Sequence, residues 1–156
     1  MANGPTIHAS AVLVGAHAIL IRGPAGSGKS RLALRLIEAA PHGPLTFSRL
    51  VADDRVHVAA VHGRLIARPA PPLAGLIEIR GIGIRRFPYE EMAVVSFVLD
   101  LAAATAQRLP QGPEAEAILE GIRLPRLAVA PGGDAFPLIL AALTSASAPL
   151  LGTSTA

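Results

Sequence analysis

A glycine-rich stretch, GPAGSGKS at residues 23–30, contains the only lysine of the chain. It satisfies the pattern G-x-x-x-x-G-K-[ST], in which glycines let successive backbone N–H groups point at phosphate oxygens. The lysine carries a compact ammonium that can reach the terminal phosphates of a nucleotide, and the serine hydroxyl after it can coordinate Mg²⁺. The pattern predicts a nucleotide-phosphate site formed by Gly23, Pro24, Ala25, Gly26, Ser27, Gly28, Lys29 and Ser30.

Two adjacent acids, Asp53 and Asp54, follow a short apolar run at residues 50–52. An aspartate at the end of an apolar strand is a usual magnesium partner of such a glycine loop. Because neighbouring strand residues point to opposite faces, we expect two different tasks here. One carboxylate would serve the metal or local hydrogen bonds, and the other would accept a proton from an attacking hydroxyl. The alternative is an acidic turn in which Asp54 pairs with Arg55.

A second pair of charged residues, Glu78 and Arg80, lies two residues apart in LIEIRGIGI at residues 76–84. On a strand this spacing places both side chains on one face. An acid for a metal and a guanidinium for phosphate charge would together serve phosphoryl transfer. A solvent-exposed salt bridge on an edge strand is the alternative. Gly81 and Gly83 after the pair indicate a close approach of the backbone to another group.

The histidines give weak signals by themselves. His8 stands before the first expected strand and could reach the glycine loop, although a lone histidine at such a place is more often structural. No pair has the spacing of metal ligands, so we interpret the others as turn or strand-surface residues. These are His17, His42, His57 and His62.

Composition narrows the class of protein. The chain has 156 residues, no cysteine and 16% charged residues, with a mean hydropathy of +0.49. This length suits one domain over residues 1–156, with a frayed end from about residue 145. No apolar run reaches the roughly 18–20 residues of a membrane span, and the start lacks the pattern of a signal peptide. We therefore expect a cytoplasmic protein that hides some apolar surface in subunit contacts.

The chain is basic, with a net charge of +3 and a pI near 10.5. Its arginines are dispersed, however, and aromatic residues make up only 3% of the sequence, too few for a base-stacking platform. We therefore expect neither nucleic acid nor a membrane as a partner.

Apolar patterns predict the elements that position the candidate residues. Residues 10–16 and 18–23 are expected as two strands, the second of which leads directly into the glycine loop. Residues 30–40 have the apolar spacing of a helix, which Pro41 should stop. The later elements are expected as a hairpin or meander at 50–69 turning near 62–63, a proline-rich loop and strand at 70–84, strands at 92–101 and 124–133, a short helix or loop at 112–122 and a last helix at 136–147.

The order IH, GPAGSGKS, LVADDRV and LIEIRGIGI resembles the catalytic C-terminal domain of the HPr kinase/phosphorylase family, over about residues 7–143. LIEIRGIGI is the more specific motif, because very many enzymes share the glycine loop. The resemblance implies an α/β fold of the P-loop kinase type related to phosphoenolpyruvate carboxykinase, with a mixed β-sheet and few helices. It also implies a homo-oligomer, usually a hexamer, the cofactors ATP and Mg²⁺, and an HPr-type phosphocarrier protein as the partner that is phosphorylated on serine.

The resemblance implies a role for each candidate residue. Residues 23–30 would bind ATP, and Ser30 and Glu78 would hold Mg²⁺. Asp54 would accept the proton of the attacking serine and return it in the reverse, phosphate-dependent reaction. The further candidates for the catalytic site are His8, Lys29, Arg80 and Asp53.

Several departures from the family pattern bear on activity. We expect a short form of the α-proteobacterial type, without the N-terminal domain and the long C-terminal region of the family's long form. Its segment at residues 85–94 is also shortened, and a nitrogen-related phosphotransferase system is its expected setting. Gly133, Asp134 and Ala135 stand where the family usually has Gly-Arg-Asn, so that arginine is missing. These departures favour kinase over phosphorylase activity.

Two other functions stay open at this point. A small-molecule kinase with the same loop would need a mobile arginine-rich lid, for which Arg85 and Arg86 are the only candidates. A non-catalytic nucleotide sensor would bind ATP without transferring phosphate, and its binding would be indifferent to the change Asp54→Asn.

Overall fold

The computed structural model describes residues 5–107 and 110–145 of the chain. Within these ranges the backbone forms eleven β-strands and two α-helices, which agrees with the α/β class and the few helices expected. The strands are β1 (Thr6–Ile7), β2 (Ala9–Val14), β3 (His17–Arg22), β4 (Ser48–Ala52), β5 (Val56–Val61), β6 (Arg64–Pro69), β7 (Leu76–Ile79), β8 (Gly83–Arg86), β9 (Ala93–Asp100), β10 (Glu116–Leu119) and β11 (Ile122–Ala128), and the helices are α1 (Lys29–Glu38) and α2 (Ala135–Thr144).

Nine of these strands form one mixed sheet in the order β1-β5-β6-β9-β3-β2-β4, with β11 and β10 added beside β9. Strands β3, β9 and β11 run parallel, whereas β2 pairs antiparallel with both β3 and β4. Parallel strands end at the same edge of a sheet, and Arg22 at the end of β3 is therefore in register with Asp100 at the end of β9. The glycine loop leaves the sheet at this edge. Strands β7 and β8 form a separate hairpin.

The two faces of the sheet are buried in two separate apolar cores. On one face, Ile19 of β3 packs in a cluster with Leu36 of α1 and Ile139 of α2. On the other face, Leu20 packs in a cluster with Leu65 and with residues of β5, β10 and β11. Side chains of this size each contribute roughly 1.5–3 kcal/mol when fully buried. The edge that carries the glycine loop is thus held by packing on both sides.

Helix α1 follows from a local pattern, and its bounds differ only slightly from those predicted. Leu32, Ala33 and Leu36 form its buried face, and the helix ends at Glu38, before Pro41, which could not continue it. None of the helices in the described part of the chain is long and apolar enough to cross a membrane.

Two segments differ from the prediction. Residues 112–122 form a short 3-10 turn (Gly112–Ala115) and then the hairpin of β10 and β11, rather than a short helix or loop. Ala117 is buried and Ile118 is exposed, the two-residue period of a strand. The segment after the LIEIR motif adds β8, which was not expected. The last helix is confirmed at Ala135–Thr144, while the predicted frayed end beyond residue 145 lies outside the described residues.

Candidate functional site

The glycine loop connects the end of β3 to the start of α1, as the sequence predicts. Gly26 and Gly28 have φ angles of +81° and +98°, in the left-handed region that favours glycine. Gly23 is required for another reason, because a Cβ there would lie 2.5 Å from Ser27 Oγ and 3.2 Å from Leu101 O. No side chain caps α1, so the N–H groups of its first turn stay available for an anion.

Lys29 points into the loop. Its side chain is buried, and its Nζ donates hydrogen bonds to the carbonyl oxygens of Gly23 at 2.8 Å and Pro24 at 3.2 Å. A buried ammonium requires such partners. The planar fork of an arginine would present its donors in a different geometry, which explains why a compact cation occupies this position.

Asp53 joins β2 and α1 through its buried carboxylate. It is 4% exposed and accepts hydrogen bonds from Ser30 Oγ at 2.9 and 2.8 Å and from Ser10 Oγ at 2.6 Å. Of the two tasks expected for the paired acids, local hydrogen bonding therefore falls to Asp53. Ser10 was not predicted as a site residue, although a serine within the apolar run of β2 is a signal that could have been used.

Asp54, unlike Asp53, is accessible to solvent. Strand β4 ends at Ala52, so the expectation that both acids lie on the strand is wrong. Asp54 occupies the centre of a tight turn with a φ of +69°, closed by a hydrogen bond from Arg55 N to Asp53 O at 2.8 Å. Its side chain is 62% exposed, and its Oδ1 lies 2.8 Å from His8 Nε2. The observed partner of Asp54 is thus a histidine from the β1–β2 junction and not Arg55.

Glu78 and Arg80 lie at the end of the β7–β8 hairpin. Glu78 is on β7, but Arg80 is in the turn after it, so the prediction that both lie on one strand is wrong. Gly81 and Gly83 shape this turn with φ angles of +97° and +86°. A Cβ at either glycine would meet no protein atom within 4 Å, so the positive φ angles, and not a close neighbour in the described part of the chain, account for glycine here.

A cleft of about 780 Å³ unites most of the predicted site. It is lined by the loop residues Ala25, Gly26, Gly28, Lys29 and Ser30, by the candidate catalytic residues His8, Asp53, Asp54 and Arg80, and by Glu78. Gly23, Pro24 and Ser27 lie outside this lining and serve the shape of the loop. Residues that are 76 positions apart in sequence, from His8 to Ile84, thus border one space.

The oxygen donors of the cleft suit a metal ion that arrives with its ligand. Among the described residues, no three His, Asp or Glu side chains are close enough to hold a metal ion by themselves. The Ser30 hydroxyl and the carboxylates of Asp53 and Glu78 border the cleft. Mg²⁺ takes oxygen ligands and usually keeps waters and substrate phosphates in its shell. This donor set fits magnesium bound together with a nucleotide.

A charge cluster at the ends of β3, β9 and β11 was also not predicted. Asp100 accepts hydrogen bonds from Arg22 Nε and Nη2 at 2.8 and 2.9 Å and from Arg126 Nε at 2.5 Å. Burial disfavours the charged carboxylate, but the hydrogen bonds and charges of the two arginines outweigh it and lower the pKa of Asp100 below its ordinary value. Arg22 directly precedes Gly23, so this cluster fixes the residue from which the glycine loop starts.

The strand, glycine loop and helix define a mixed α/β domain with a glycine-rich loop of the strand–loop–helix kind. More narrowly, the chain belongs to the family of the HPr Serine kinase C-terminal domain, whose sequence profile matches residues 1–148. The family and the fold class implied by the sequence resemblance are therefore confirmed.

Individual relatives agree with this assignment. The chain is similar to the solved Hpr(Ser) kinase/phosphatase from Coxiella burnetii, with a TM-score of 0.70, 26% identity and coverage of 89% of this chain and 93% of that one. It is 33% identical to an HPr kinase/phosphorylase from Bordetella petrii over 99% of this chain and 52% of the relative. A Clostridium tetani HPr kinase/phosphorylase is 40% identical over 53% of this chain and 24% of the relative. The chain thus spans about half or less of the length of these two sequence relatives.

Proposed function

We propose that this protein is an ATP- and Mg²⁺-dependent protein serine kinase that phosphorylates an HPr-type phosphocarrier protein of a bacterial phosphotransferase system. The observation that carries the proposal is the His8–Asp54 pair on the same cleft as Lys29 and the glycine loop. An exposed carboxylate, which would serve as the proton acceptor, thereby borders the same space as the loop that would hold the phosphates. The proposal includes the cytoplasm as the setting and a homo-oligomer, with the hexamer as the first state to test.

The nucleotide would be held mainly by its phosphates. The N–H groups of the loop and of the first turn of α1, together with Lys29, would hold the phosphate oxygens. Ser30 and Glu78 would hold Mg²⁺, which when bound supplies positive charge next to the transferred phosphoryl group. Asp53 is already engaged with Ser30 and would keep that hydroxyl in place.

Asp54 is the group that would take the proton in the transfer step. The hydroxyl oxygen of the carrier's serine bonds to the γ-phosphorus, the bond from that phosphorus to the bridging oxygen of ADP breaks, and the serine proton passes to Asp54. The exposure of this carboxylate allows a protein substrate to reach it, and the contact with His8 at 2.8 Å orients it. Arg80 and Lys29 would offset charge on the group in transfer.

The reverse reaction is a second activity within the same proposal. An oxygen of inorganic phosphate would bond to the phosphorus of the phosphoserine to give pyrophosphate, and the bond from serine oxygen to phosphorus would break. Asp54 would take the proton of the attacking phosphate and pass it to the serine oxygen.

The proposal is tested by mixing the purified chain with Mg-ATP and the phosphocarrier of its own organism. Mass spectrometry should find one added phosphate, on a serine of the carrier. Asp54→Asn should slow the transfer by roughly 10²–10⁴-fold, the usual contribution of a general base, with ATP affinity unchanged. Glu38→Gln, at the exposed far end of α1, is the matched control and should transfer at the wild-type rate.

Two results would contradict the proposal. Binding of ATP by the wild type without phosphorylation of the carrier would exclude the carrier as the substrate and favour the nucleotide sensor or a different acceptor. Equal rates of transfer by Asp54→Asn and the wild type would remove Asp54 as the proton acceptor and leave the kinase assignment standing.

A further inference from the structure

Ser10 is a buried polar residue in a strand that otherwise packs apolar side chains. It is fully buried on β2, between Ala9 and Ala11, which are fully buried as well. Burial of a hydroxyl is unfavourable unless a hydrogen bond replaces its water. For packing alone, an alanine would serve at this position. The hydroxyl is therefore explained by its partner, the Oδ1 of Asp53 at 2.6 Å.

The register of the sheet places Ser10 against Asp53. Strands β2 and β4 pair antiparallel, and Ala11 opposite Ala52 is the last pair of their ladder. Ser10 and Asp53 follow directly beyond this pair, with Asp53 in the turn after β4. Residues two apart on a strand direct their side chains to the same side of the sheet, so Ser10 shares a side with Val12 of β2. Val12 lies on this side and packs in the cluster that includes Leu32 and Leu36 of α1. The backbone thus directs Ser10 toward the helix that carries Ser30, and the Asp53 carboxylate bonds to both serines.

The three residues form a directional chain of hydrogen bonds. Ser10 donates to Asp53 Oδ1, and Ser30 donates to both oxygens of the same carboxylate. A serine hydroxyl has one hydrogen to donate and two lone pairs to offer. Because the hydrogen of Ser30 is directed to Asp53, its lone pairs are left for a cation in the cleft. The orientation of Asp53 therefore decides whether Ser30 can act as a metal ligand.

We propose that Ser10 is a positioning residue for metal–nucleotide binding. It holds the Asp53 carboxylate in the orientation that keeps Ser30 as a donor to Asp53 and leaves its lone pairs open to a divalent cation. Ser10 touches neither nucleotide nor metal in this role. The inference rests on the proposed function in so far as the cleft binds Mg-ATP, but it does not depend on which substrate receives the phosphate.

The experiment measures the affinity for ATP by calorimetry, once in EDTA and once across a series of Mg²⁺ concentrations. In Ser10→Ala, the Mg²⁺ concentration that gives half of the Mg²⁺-dependent gain in ATP affinity should rise about tenfold. Tenfold is the lower end of the loss in metal affinity when a group supporting a metal ligand is removed. The affinity in EDTA should equal that of the wild type. Ser10→Thr keeps a hydroxyl and should restore the Mg²⁺ dependence.

Ser48→Ala is the matched control. Ser48 is a serine on the neighbouring strand β4, and its buried Oγ has no hydrogen-bond partner within the described residues. Its replacement should leave the Mg²⁺ dependence unchanged. Should Ser10→Ala fail to fold, Ser10→Cys replaces the hydroxyl by a weak thiol donor of similar size, and the shift should have the same sign.

Three outcomes would overturn the inference. Equal loss of affinity with and without Mg²⁺ would reduce Ser10 to a structural residue, and an unchanged Mg²⁺ dependence in Ser10→Ala would remove its role altogether. If the wild type transfers phosphate while either result holds, the inference fails and the proposed function stands. If the wild type binds no Mg-ATP, both fail together.

Discussion

Replacement of Asp100 by asparagine removes the negative charge at the centre of the Arg22–Asp100–Arg126 cluster with little change in size. The side chains of Asp100 and Arg126 are 14% and 13% exposed, so water cannot easily replace the missing carboxylate. We expect the variant to fold and to be less stable than the wild type at neutral pH.

The size of this loss in stability depends on whether the two arginines find other hydrogen-bond acceptors once the carboxylate is gone. Removal of one partner of a buried ion pair costs about 3–5 kcal/mol. Arg22 is 34% exposed and can turn to water, while Arg126 also donates to Glu114 O at 2.9 Å and Thr105 Oγ1 at 3.1 Å. We therefore expect the lower end, a loss of about 3 kcal/mol in the free energy of unfolding. At roughly 2–4 °C per kcal/mol for a chain of this size, the Tm should fall by about 6–12 °C.

The loss of stability should also depend on pH. Burial acts to raise the pKa of Asp100, but Arg22 and Arg126 lower it from the ordinary value of 3.8. A carboxylate whose pKa is lower in the folded than in the unfolded state stabilises the fold above the unfolded-state pKa, and this stabilisation is lost as the pH falls through the folded-state pKa. The difference between wild type and Asp100→Asn should be constant from about pH 5 to pH 8 and shrink below about pH 4.

The assay is urea unfolding followed by circular dichroism, at one fixed protein concentration and a series of pH values. Glu116→Gln is the control, because its ion pair with Arg123 is exposed, with side chains 42% and 68% accessible. Such pairs contribute about 0–1 kcal/mol, and this change should have almost no effect. A loss below about 1 kcal/mol at pH 7 for Asp100→Asn, the level of an exposed pair, would refute the reasoning. The reasoning would also be refuted if the stability difference between wild type and Asp100→Asn stayed the same below the unfolded-state pKa of the carboxylate.

The remaining predictions concern the glycine loop. Lys29→Arg should leave the fold intact and weaken ATP binding about tenfold or more, because the guanidinium cannot repeat the paired contacts of the ammonium. Calorimetric titration with ATP measures this change. An affinity equal to that of the wild type would contradict the prediction. Gly28→Ala places a Cβ at a φ of +98° and should cost about 1–2 kcal/mol of stability as well as ATP affinity, measured by urea unfolding and calorimetry. Gly26→Ala, with a φ of +81°, should likewise lower both the stability and the ATP affinity.

The parts of the fold that could be predicted from the sequence are those encoded over a few neighbouring residues. The glycine loop, its flanking strand and helix α1 follow from apolar spacing and from a motif whose chemistry is local. The turn of the β5–β6 hairpin at His62 and Gly63 is local in the same sense. The observed bounds of these elements lie close to the predicted ones.

The parts that could not be predicted depend on contacts between distant residues. The Ser10–Asp53 contact requires the β2–β4 register, and the Arg22–Asp100 contact requires the parallel pairing of β3 with β9. The pairing of Asp54 with His8 rather than Arg55 depends on the tight turn after β4. The strand at Glu116–Leu119 was not predicted, because the three apolar residues between Glu116 and Glu120 are too few to show a helix or strand period.

Asp134 bears on the direction of the proposed reaction. The sequence resemblance implies that it stands where the family usually has an arginine. It accepts hydrogen bonds from Phe136 N at 3.1 Å and Arg35 Nη1 at 2.8 Å. The residue is thus used to cap α2 and to pair with α1, and it is not in the lining of the cleft. The reverse reaction must hold inorganic phosphate beside a phosphoserine, which brings two anions together and calls for extra positive charge. An acid at this position would supply none, while the proposed forward reaction has a single added anion and would rely on Lys29 and Arg80. We therefore infer that the kinase direction is favoured over phosphorolysis in this chain.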